Sequence, residues 1–233
     1  MEKTVSDIPT PGSRPGPLSR AARRRRAATG AALALLVAVT GCTGSPEEKP
    51  AATDRAAGGT PVTLTGPLCD ALPSGTEPGN PGSLVGQPPG QALTWIPVLT
   101  TFEAAVRATG MAEELSAPGG LTILAPTDDA FRAKFSTANM DNLLLKDTDT
   151  LRKLLREHLV AGAHPVGDLV AAGTLTTLAG TTLAVTGAGP GARLADRAET
   201  VCADYRAADT RIHVINKVLG NLPDTAHEED HHH

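Results

Sequence analysis

The side chains best suited to chemistry are one histidine and one pair of adjacent carboxylates. His158 falls on the apolar side of a helical pattern, where an imidazole is a ligand, a base, or a structural histidine hydrogen-bonded inside the fold. Asp128 and Asp129 are neighbours, and the side chains of adjacent helix residues diverge by about 100 degrees. The two carboxylates therefore indicate charges at the start of a helix rather than a paired acid and base.

The histidine-rich end, residues 227–233 (HEEDHHH), has the atoms that bind a transition metal. It is equally a solvated acidic end, or in part a cloning remnant. Elsewhere Ser116 and Ser136 lack the context of a nucleophile elbow, and neither zinc-ligand spacing nor a phosphate-binding or dinucleotide-binding glycine motif is present. We therefore predict a protein that is not an enzyme, with no catalytic residue, no cofactor and no metal.

The N-terminal 41 residues read as an export signal. The basic run Arg23–Arg26 precedes an uncharged apolar stretch, Ala27–Thr40, that is too short to span a bilayer permanently. Residues 39–42 (VTGC) resemble a bacterial lipobox, in which the cysteine thiol receives a diacylglyceryl group before cleavage ahead of it. We predict a signal peptide at 1–41 and lipidation of Cys42; the alternative is a plain secretory signal with an incidental cysteine. The arginine run leaves the export route, general or twin-arginine, open.

The segment that follows the lipidated cysteine predicts a tether. Residues 42–60 are rich in Pro, Gly, Ala and charge and show no hydrophobic periodicity, which indicates a disordered stalk. Two acyl chains anchor far more firmly than one, since each buried methylene contributes about 0.8 kcal/mol. We therefore expect a domain held on the outer face of the bacterial cell membrane, with the diacylglyceryl anchor as its membrane partner.

The two remaining cysteines, Cys69 and Cys202, form an even pair in an oxidising compartment. We predict that they form a disulfide, which pins the start of the domain near its end. The alternative is two buried free thiols.

Composition bounds the class of ligand. The first 41 residues hold seven basic and two acidic residues of the chain's 21 and 25, which leaves 14 against 23 in the mature part, a formal charge of −9. So acidic a surface repels phosphate backbones, and we expect no nucleic-acid binding. Because aromatic residues make up only 2% of the chain, the expected core is aliphatic with few large residues. Those large residues are Trp95, Phe102, Phe131, Phe135 and Tyr205.

Helical patterns come first in the chain and strand patterns cluster later. Residues 121–125 (LTILA) predict a buried strand that Pro126 ends, with Thr127 as the N-cap of the next helix. Thr148–Leu159 is the clearest helix. The order predicts an α+β fold with a largely antiparallel sheet. The five later strand candidates are Thr174–Leu178, Thr181–Thr186, Ala192–Leu194, Glu199–Ala203 and Arg211–Ile215.

Three of these segments together resemble the fasciclin domain. The first, residues 121–131 (LTILAPTDDAF), is similar to the block in which a strand runs through Ala-Pro-Thr into a helix with a buried Phe. The second, 155–162 (LREHLVAG), is similar to the central block, and the third, 211–219 (RIHVINKVL), to the closing block. Their order and spacing fit one domain over 61–223, followed by a flexible tail at 224–233. The family-motif positions are Ala125, Pro126, Thr127, Asp128, Phe131, His158, His213, Val214, Ile215 and Asn216.

The resemblance implies a fasciclin-like β-sandwich or wedge flanked by short helices, and adhesion or surface binding rather than catalysis. It also implies a disulfide, because Cys69 and Cys202 are placed like the pair of secreted bacterial fasciclin lipoproteins and antigens. Glu157 stands where the family usually has Tyr, in the element tied to integrin recognition in animal members, and Asn216 stands where it usually has Asp. Integrin binding is therefore not carried over.

The leading hypothesis from the sequence is a surface-anchored binding module for an unknown protein or glycan. An envelope-assembly factor that holds a partner complex together is the alternative, and a hydrolase that uses His158 is a distant third.

Overall fold

The computed structural model describes residues 61–226. The predicted signal peptide, Cys42, the stalk and the histidine-rich end lie outside the described residues, and the domain limits 61–223 stay a prediction. Within 61–226, no helix combines the length and the apolar character needed to cross a bilayer.

Short helices and strands alternate along the described chain. The helices are α1 (Pro81–Leu84), α2 (Pro89–Leu93), α3 (Thr100–Ala108), α4 (Asp128–Lys134), α5 (Thr137–Leu145), α6 (Thr148–Arg156) and α7 (Val166–Ala172). The strands are β1 (Leu121–Pro126), β2 (Leu159–Ala161), β3 (Thr174–Thr176), β4 (Thr182–Ala188), β5 (Gly191–Leu194), β6 (Ala198–Ala207) and β7 (Thr210–Ile215). Single 3-10 turns lie at Cys69–Ala71, Pro97–Leu99 and Glu114–Ser116.

All seven strands join one sheet in the order β2-β1-β7-β6-β5-β4-β3. Every pair is antiparallel except β1 with β7, which run parallel and pair from Leu121 with Thr210 to Pro126 with Ile215. The predicted α+β class with a largely antiparallel sheet is confirmed.

The central strands are buried on both faces. Ile123 of β1 and Val214 of β7 belong to one apolar cluster, which they share with residues of α2 to α6. Leu124 and Ile215 of the same strands belong to a second cluster with residues of α7 and of β3 to β5. Since alternate side chains of a strand point to opposite faces, the largely apolar β1 and the apolar residues Ile212, Val214 and Ile215 of β7 contribute to both cores.

Side-chain caps start four of the described helices, as short polar residues commonly do. Asn80 caps α1 by accepting a hydrogen bond from the Ser83 N–H at 3.0 Å. Thr127, the predicted N-cap, accepts a hydrogen bond from the Ala130 N–H at 3.1 Å. Ser136 caps α5 and Asp147 caps α6 in the same way. The chain therefore begins each of α1, α4, α5 and α6 with its own acceptor.

Three sequence predictions are corrected. Trp95 was expected in the core, but it is 45% exposed, because its neighbour Ile96 takes the buried position in the turn after α2. The helix predicted to reach Leu159 ends at Arg156, since Leu159 pairs with Ile123 of β1 and so begins β2. The strand predicted to end at Ala203 continues to Ala207 through an irregularity in register, where Asp204 takes a φ of 77 degrees.

A disulfide joins the first 3-10 turn to β6. Cys69 and Cys202 are bonded with their Cα atoms 5.0 Å apart, across a sequence separation of 133. Next to the bond, the Leu68 N–H donates to the Val201 carbonyl at 2.9 Å, and Thr65 forms a bridge with Ala203. The irregular N-terminal segment is therefore tied to the sheet by both covalent and hydrogen bonds.

We predict that replacing both cysteines by serine lowers the free energy of unfolding by about 2–4 kcal/mol, because the bond closes a long loop in the unfolded chain. Urea unfolding of the oxidised wild type and of Cys69→Ser/Cys202→Ser measures the difference. Wild type under reductant is the control and should match the double variant; equal urea midpoints for oxidised and reduced wild type would contradict the prediction.

Candidate functional site

His158 is held between two backbone groups in the turn between α6 and β2. The Leu219 N–H donates to Nε2 at 2.9 Å, so Nδ1 carries the proton and donates to the Leu154 carbonyl at 2.9 Å. The side chain is fully buried, and burial lowers its pKa from 6.5 to about 4, against a smaller opposing effect of the Leu154 hydrogen bond. His158 is therefore a neutral link between α6 and the segment after β7, with both nitrogens occupied.

His213 plays a similar part in the middle of β7. Its Nδ1 accepts from the Asp204 N–H at 3.2 Å, and its Nε2 donates to the His164 carbonyl at 2.9 Å. The side chain is buried, and burial lowers its pKa. Both family-motif histidines therefore hold backbone groups inside the fold rather than face solvent.

The adjacent carboxylates have separate partners. Asp128 accepts from the Thr101 N–H at 2.7 Å and from the Thr100 hydroxyl at 2.9 Å, so it caps the start of α3 from a different helix. Asp129 is exposed and forms an ion pair with Arg132. The pair does not form the acid–base arrangement that two catalytic carboxylates need, in agreement with the helix-start interpretation.

Two departures from the family pattern have visible partners. The carboxylate of Glu157 accepts hydrogen bonds from the hydroxyls of Thr181 at 3.0 Å and Thr177 at 3.4 Å, which joins α6 to the β3–β4 turn. Asn216 accepts from the Glu199 N–H at 2.8 Å and donates its own N–H to the Glu199 carbonyl at 3.0 Å. Asn216 thus fixes the end of β7 to β6.

The described residues contain no group of three or more His, Cys, Asp or Glu placed to hold a metal ion. The histidine-rich end, which carried the metal alternative, lies outside the described residues.

A groove opens where the parallel strands β1 and β7 end. Because both strands end at the same edge, the residues that follow them lie side by side, and the Thr127 N–H donates to the Ile215 carbonyl at 3.0 Å. A cavity of about 450 Å³ there falls in the range of ligand pockets, roughly 300–1,000 Å³. We call this cavity, together with the second cavity that continues from it, the junction groove. The walls of the first cavity are formed by the apolar residues Pro67, Leu68, Ala130, Ala133 and Val201 and by the polar residues Thr127, Asp129 and Asn216.

The junction groove continues into a second, more polar cavity of about 230 Å³. The two share Ala130, Ala133 and Asn216. The second cavity adds basic and acidic side chains to the lining: Lys134, Arg197, Lys217 and Asp224. One end of the junction groove is therefore mainly apolar and the other predominantly basic.

Residues that the sequence assigns to the flexible tail hold the basic end in place. The Thr225 N–H donates to the Lys134 carbonyl at 2.8 Å, and the Thr225 hydroxyl oxygen accepts from the Ser136 N–H at 3.1 Å. Asp224 binds the Lys134 ammonium at 2.7 Å. The Lys134 hydrogen bond and charge lower the pKa of Asp224, so its carboxylate stays ionised.

Sequence reasoning missed the walls of the junction groove, since they come from segments far apart in the chain. One signal was present. Pro67 and Leu68 precede Cys69, and Val201 precedes Cys202, so the predicted disulfide already placed these residues together. The basic end carried no comparable signal, because Lys134, Arg197 and Lys217 are single charges in different elements.

The model of the fasciclin domain matches residues 97–221 of this chain, more than half of its length. The chain belongs to the fasciclin family. The resemblance inferred from the three sequence blocks is confirmed. Proteins with this domain are generally associated with cell adhesion or extracellular binding, and are typically extracellular or secreted.

Over the aligned segments, about one third of the residues of two curated relatives are identical to those of the chain. Protein sll1483 of Synechocystis sp. (strain ATCC 27184 / PCC 6803 / Kazusa) is 36% identical over 121 residues, which cover 52% of this chain and 66% of that protein. Transforming growth factor-beta-induced protein ig-h3 of Oryctolagus cuniculus is 35% identical over 126 residues, 54% of this chain. The chain spans only 18% of the length of ig-h3.

A solved structure of a FAS1 domain pair from the insect cell adhesion molecule Fasciclin I also matches. It covers 52% of this chain and 44% of that chain, with 20% identity and a TM-score of 0.38.

The three fasciclin blocks occupy adjacent strands of the sheet. The closing block pairs in parallel with the first block, where Ala125 faces Val214 and Pro126 faces Ile215. The central block supplies β2, which pairs with the other edge of β1. Phe131 is buried against the same core. The junction groove therefore lies where the first and closing fasciclin blocks meet.

We predict that His158 makes the domain less stable in mild acid. Its folded pKa, about 4, lies below the unfolded value of 6.5, so the unfolded chain binds more protons between these values. The contribution of His158 to the free energy of unfolding is complete above pH 6.5 and is lost as the pH falls to about 4. The total loss is about 3 kcal/mol. Urea unfolding at several pH values between these limits measures it.

The matched variant is His158→Gln, whose amide can donate and accept but does not titrate. Its free energy of unfolding should fall less steeply than that of wild type over the same pH interval. Parallel pH profiles for wild type and variant would show that His158 is not the group responsible.

Proposed function

We propose that this protein is an exported lipoprotein whose fasciclin domain binds a component outside the cell and does not catalyse a reaction. One observation carries the proposal: the groups best suited to catalysis are engaged in holding the fold, while an open groove lies between two family blocks. His158 and His213 bridge backbone groups, and Asp128 caps α3. The junction groove is thus the surface best suited to a ligand.

The export and lipidation predicted from the sequence support the same function. The lipobox-like residues 39–42 and the polar segment 43–60 would place it on a tether outside the membrane. A tethered module of this family suits adhesion or the capture of an envelope or matrix component, which is either a protein or a glycan. The alternative is that the domain binds a single protein partner and so holds an envelope complex together. The mainly apolar lining at one end of the junction groove suits a protein ligand of that kind.

The anchor and the binding activity are tested together. Wild type expressed in a bacterium should sediment with membranes, whereas Cys42→Ser, which cannot take the diacylglyceryl group, should be released in soluble form. The soluble, oxidised variant is then measured for binding to cell-envelope fractions, purified glycans, collagen and fibronectin by surface plasmon resonance. We expect saturable binding to one class of component.

The control is the same protein with its disulfide reduced and alkylated, which should bind less because the wall around Pro67 and Val201 is released. Living-cell crosslinking that recovers one dominant protein would favour the assembly alternative. Binding to nothing in the panel, with no crosslinked partner, would refute the proposed function, and turnover of a bound component would refute its non-enzymatic part.

A further inference from the structure

The basic end of the junction groove stands out against an acidic domain. Residues 61–226 carry 12 Lys and Arg against 17 Asp and Glu. At this end Lys134, Arg197 and Lys217 surround a single carboxylate, that of Asp224, on which all three exert a favourable charge interaction. The local charge is therefore opposite in sign to that of the domain, which draws anionic groups to this end.

The chain itself shows which anion fits this end. The carboxylate of Asp224 binds the Lys134 ammonium at 2.7 Å, while the Asp224 side chain stays 74% exposed. Arg197 and Lys217 are exposed; the Arg197 backbone N–H donates to the Leu194 carbonyl at 3.1 Å, but the side chains of both residues make neither a hydrogen bond nor an ion pair at contact distance with another described residue. The basic end therefore already binds one carboxylate, that of Asp224. The side chains of Arg197 and Lys217 are available to bind the carboxylates of a ligand.

The apolar end selects the rest of the ligand. Pro67, Leu68, Ala130, Ala133 and Val201 offer no side-chain donor or acceptor. Thr127, Asp129 and Asn216 line the same end, but the Thr127 hydroxyl already accepts from the Ala130 N–H, the Asp129 carboxylate is paired with Arg132, and the Asn216 side-chain oxygen accepts from the Glu199 N–H. Sugar hydroxyls placed on the five apolar residues would lose their water without gaining partners, which is unfavourable. Aliphatic side chains gain free energy in such a lining by leaving water. The combination fits a peptide better than a glycan.

We propose that the junction groove binds an extended peptide segment of a partner protein in which aliphatic side chains are followed by Asp or Glu. The aliphatic side chains pack on Leu68, Ala133 and Val201, and the carboxylates meet Arg197 and Lys217. The inference rests on the proposed function, since it names the ligand chemistry of the same site. The protein then recognises acidic, partly apolar peptide segments of its partner.

Fluorescence anisotropy tests the proposal with the soluble Cys42→Ser protein and a labelled peptide that carries two leucines followed by three glutamates. The peptide should bind saturably, and more weakly as salt is added. Replacing its glutamates by glutamines, or its leucines by serines, should raise the Kd about tenfold or more. Equal affinity for the glutamine peptide would overturn the proposal.

Variants of the protein locate the binding. Arg197→Glu/Lys217→Glu should raise the Kd about tenfold or more, whereas Lys146→Glu/Lys153→Glu, which changes the net charge equally at exposed sites outside the groove lining, should leave it unchanged. Ala133→Trp, on an exposed helix position in the groove, should block binding without a change of charge. Thermal unfolding checks that each variant is folded. Equal loss in both double variants would overturn the proposal.

Two further outcomes separate the possible ligands. If inorganic phosphate displaces the peptide at equal concentration, the basic end recognises phosphate and the proposal is wrong. If Arg197→Glu/Lys217→Glu still binds the envelope or matrix component that wild type binds, the groove proposal fails while the proposed binding function stands.

Discussion

The parallel pairing of β1 with β7 is the constraint on which the rest of the structure depends. Both strands are almost wholly buried and contribute to the apolar clusters on both faces of the sheet. The pairing joins segments separated by most of the domain, so its closure must be supported by long-range contacts. The last hydrogen bond between the two strands runs from the Thr127 N–H to the Ile215 carbonyl at 3.0 Å, and the chain turns at Thr127 into α4. The edge where both strands end becomes the junction groove.

The buried polar groups serve this arrangement. His158 holds the segment after β7 at Leu219, and His213 satisfies backbone groups on either side of β7. Because a buried donor or acceptor without a partner is costly, these histidines stabilise one particular course of the backbone. Apolar packing alone would not specify that course. The disulfide extends the arrangement outward by placing Leu68 next to Val201. The structural histidines inside the fold and the partly apolar, partly basic groove on its surface are the two features on which the proposed binding function rests.

The sequence predicted elements wherever the local signal was strong. The apolar run before Pro126, the Thr127 cap and the short strands between Gly, Pro and Asp turns depend on nearby residues, and so could be predicted. Helix α5, with the weak apolar pattern of Met140, Leu143 and Leu144, was not predicted, and neither was α7. The junction groove could not be predicted as a whole, because its two ends come from segments that meet only through β1, β7 and the disulfide.

Native-state hydrogen exchange of the oxidised protein tests the central claim most directly, since it reports the stability of each strand separately. If the parallel ladder holds the fold together, the amides of β1 and β7 exchange slowest, at the rate set by global unfolding, and those of the terminal strand β3 exchange faster. If the β1 and β7 amides exchange as fast as those of β3, the account is contradicted. The parallel pairing would then open locally, without global unfolding, and could not be what holds the junction groove in place.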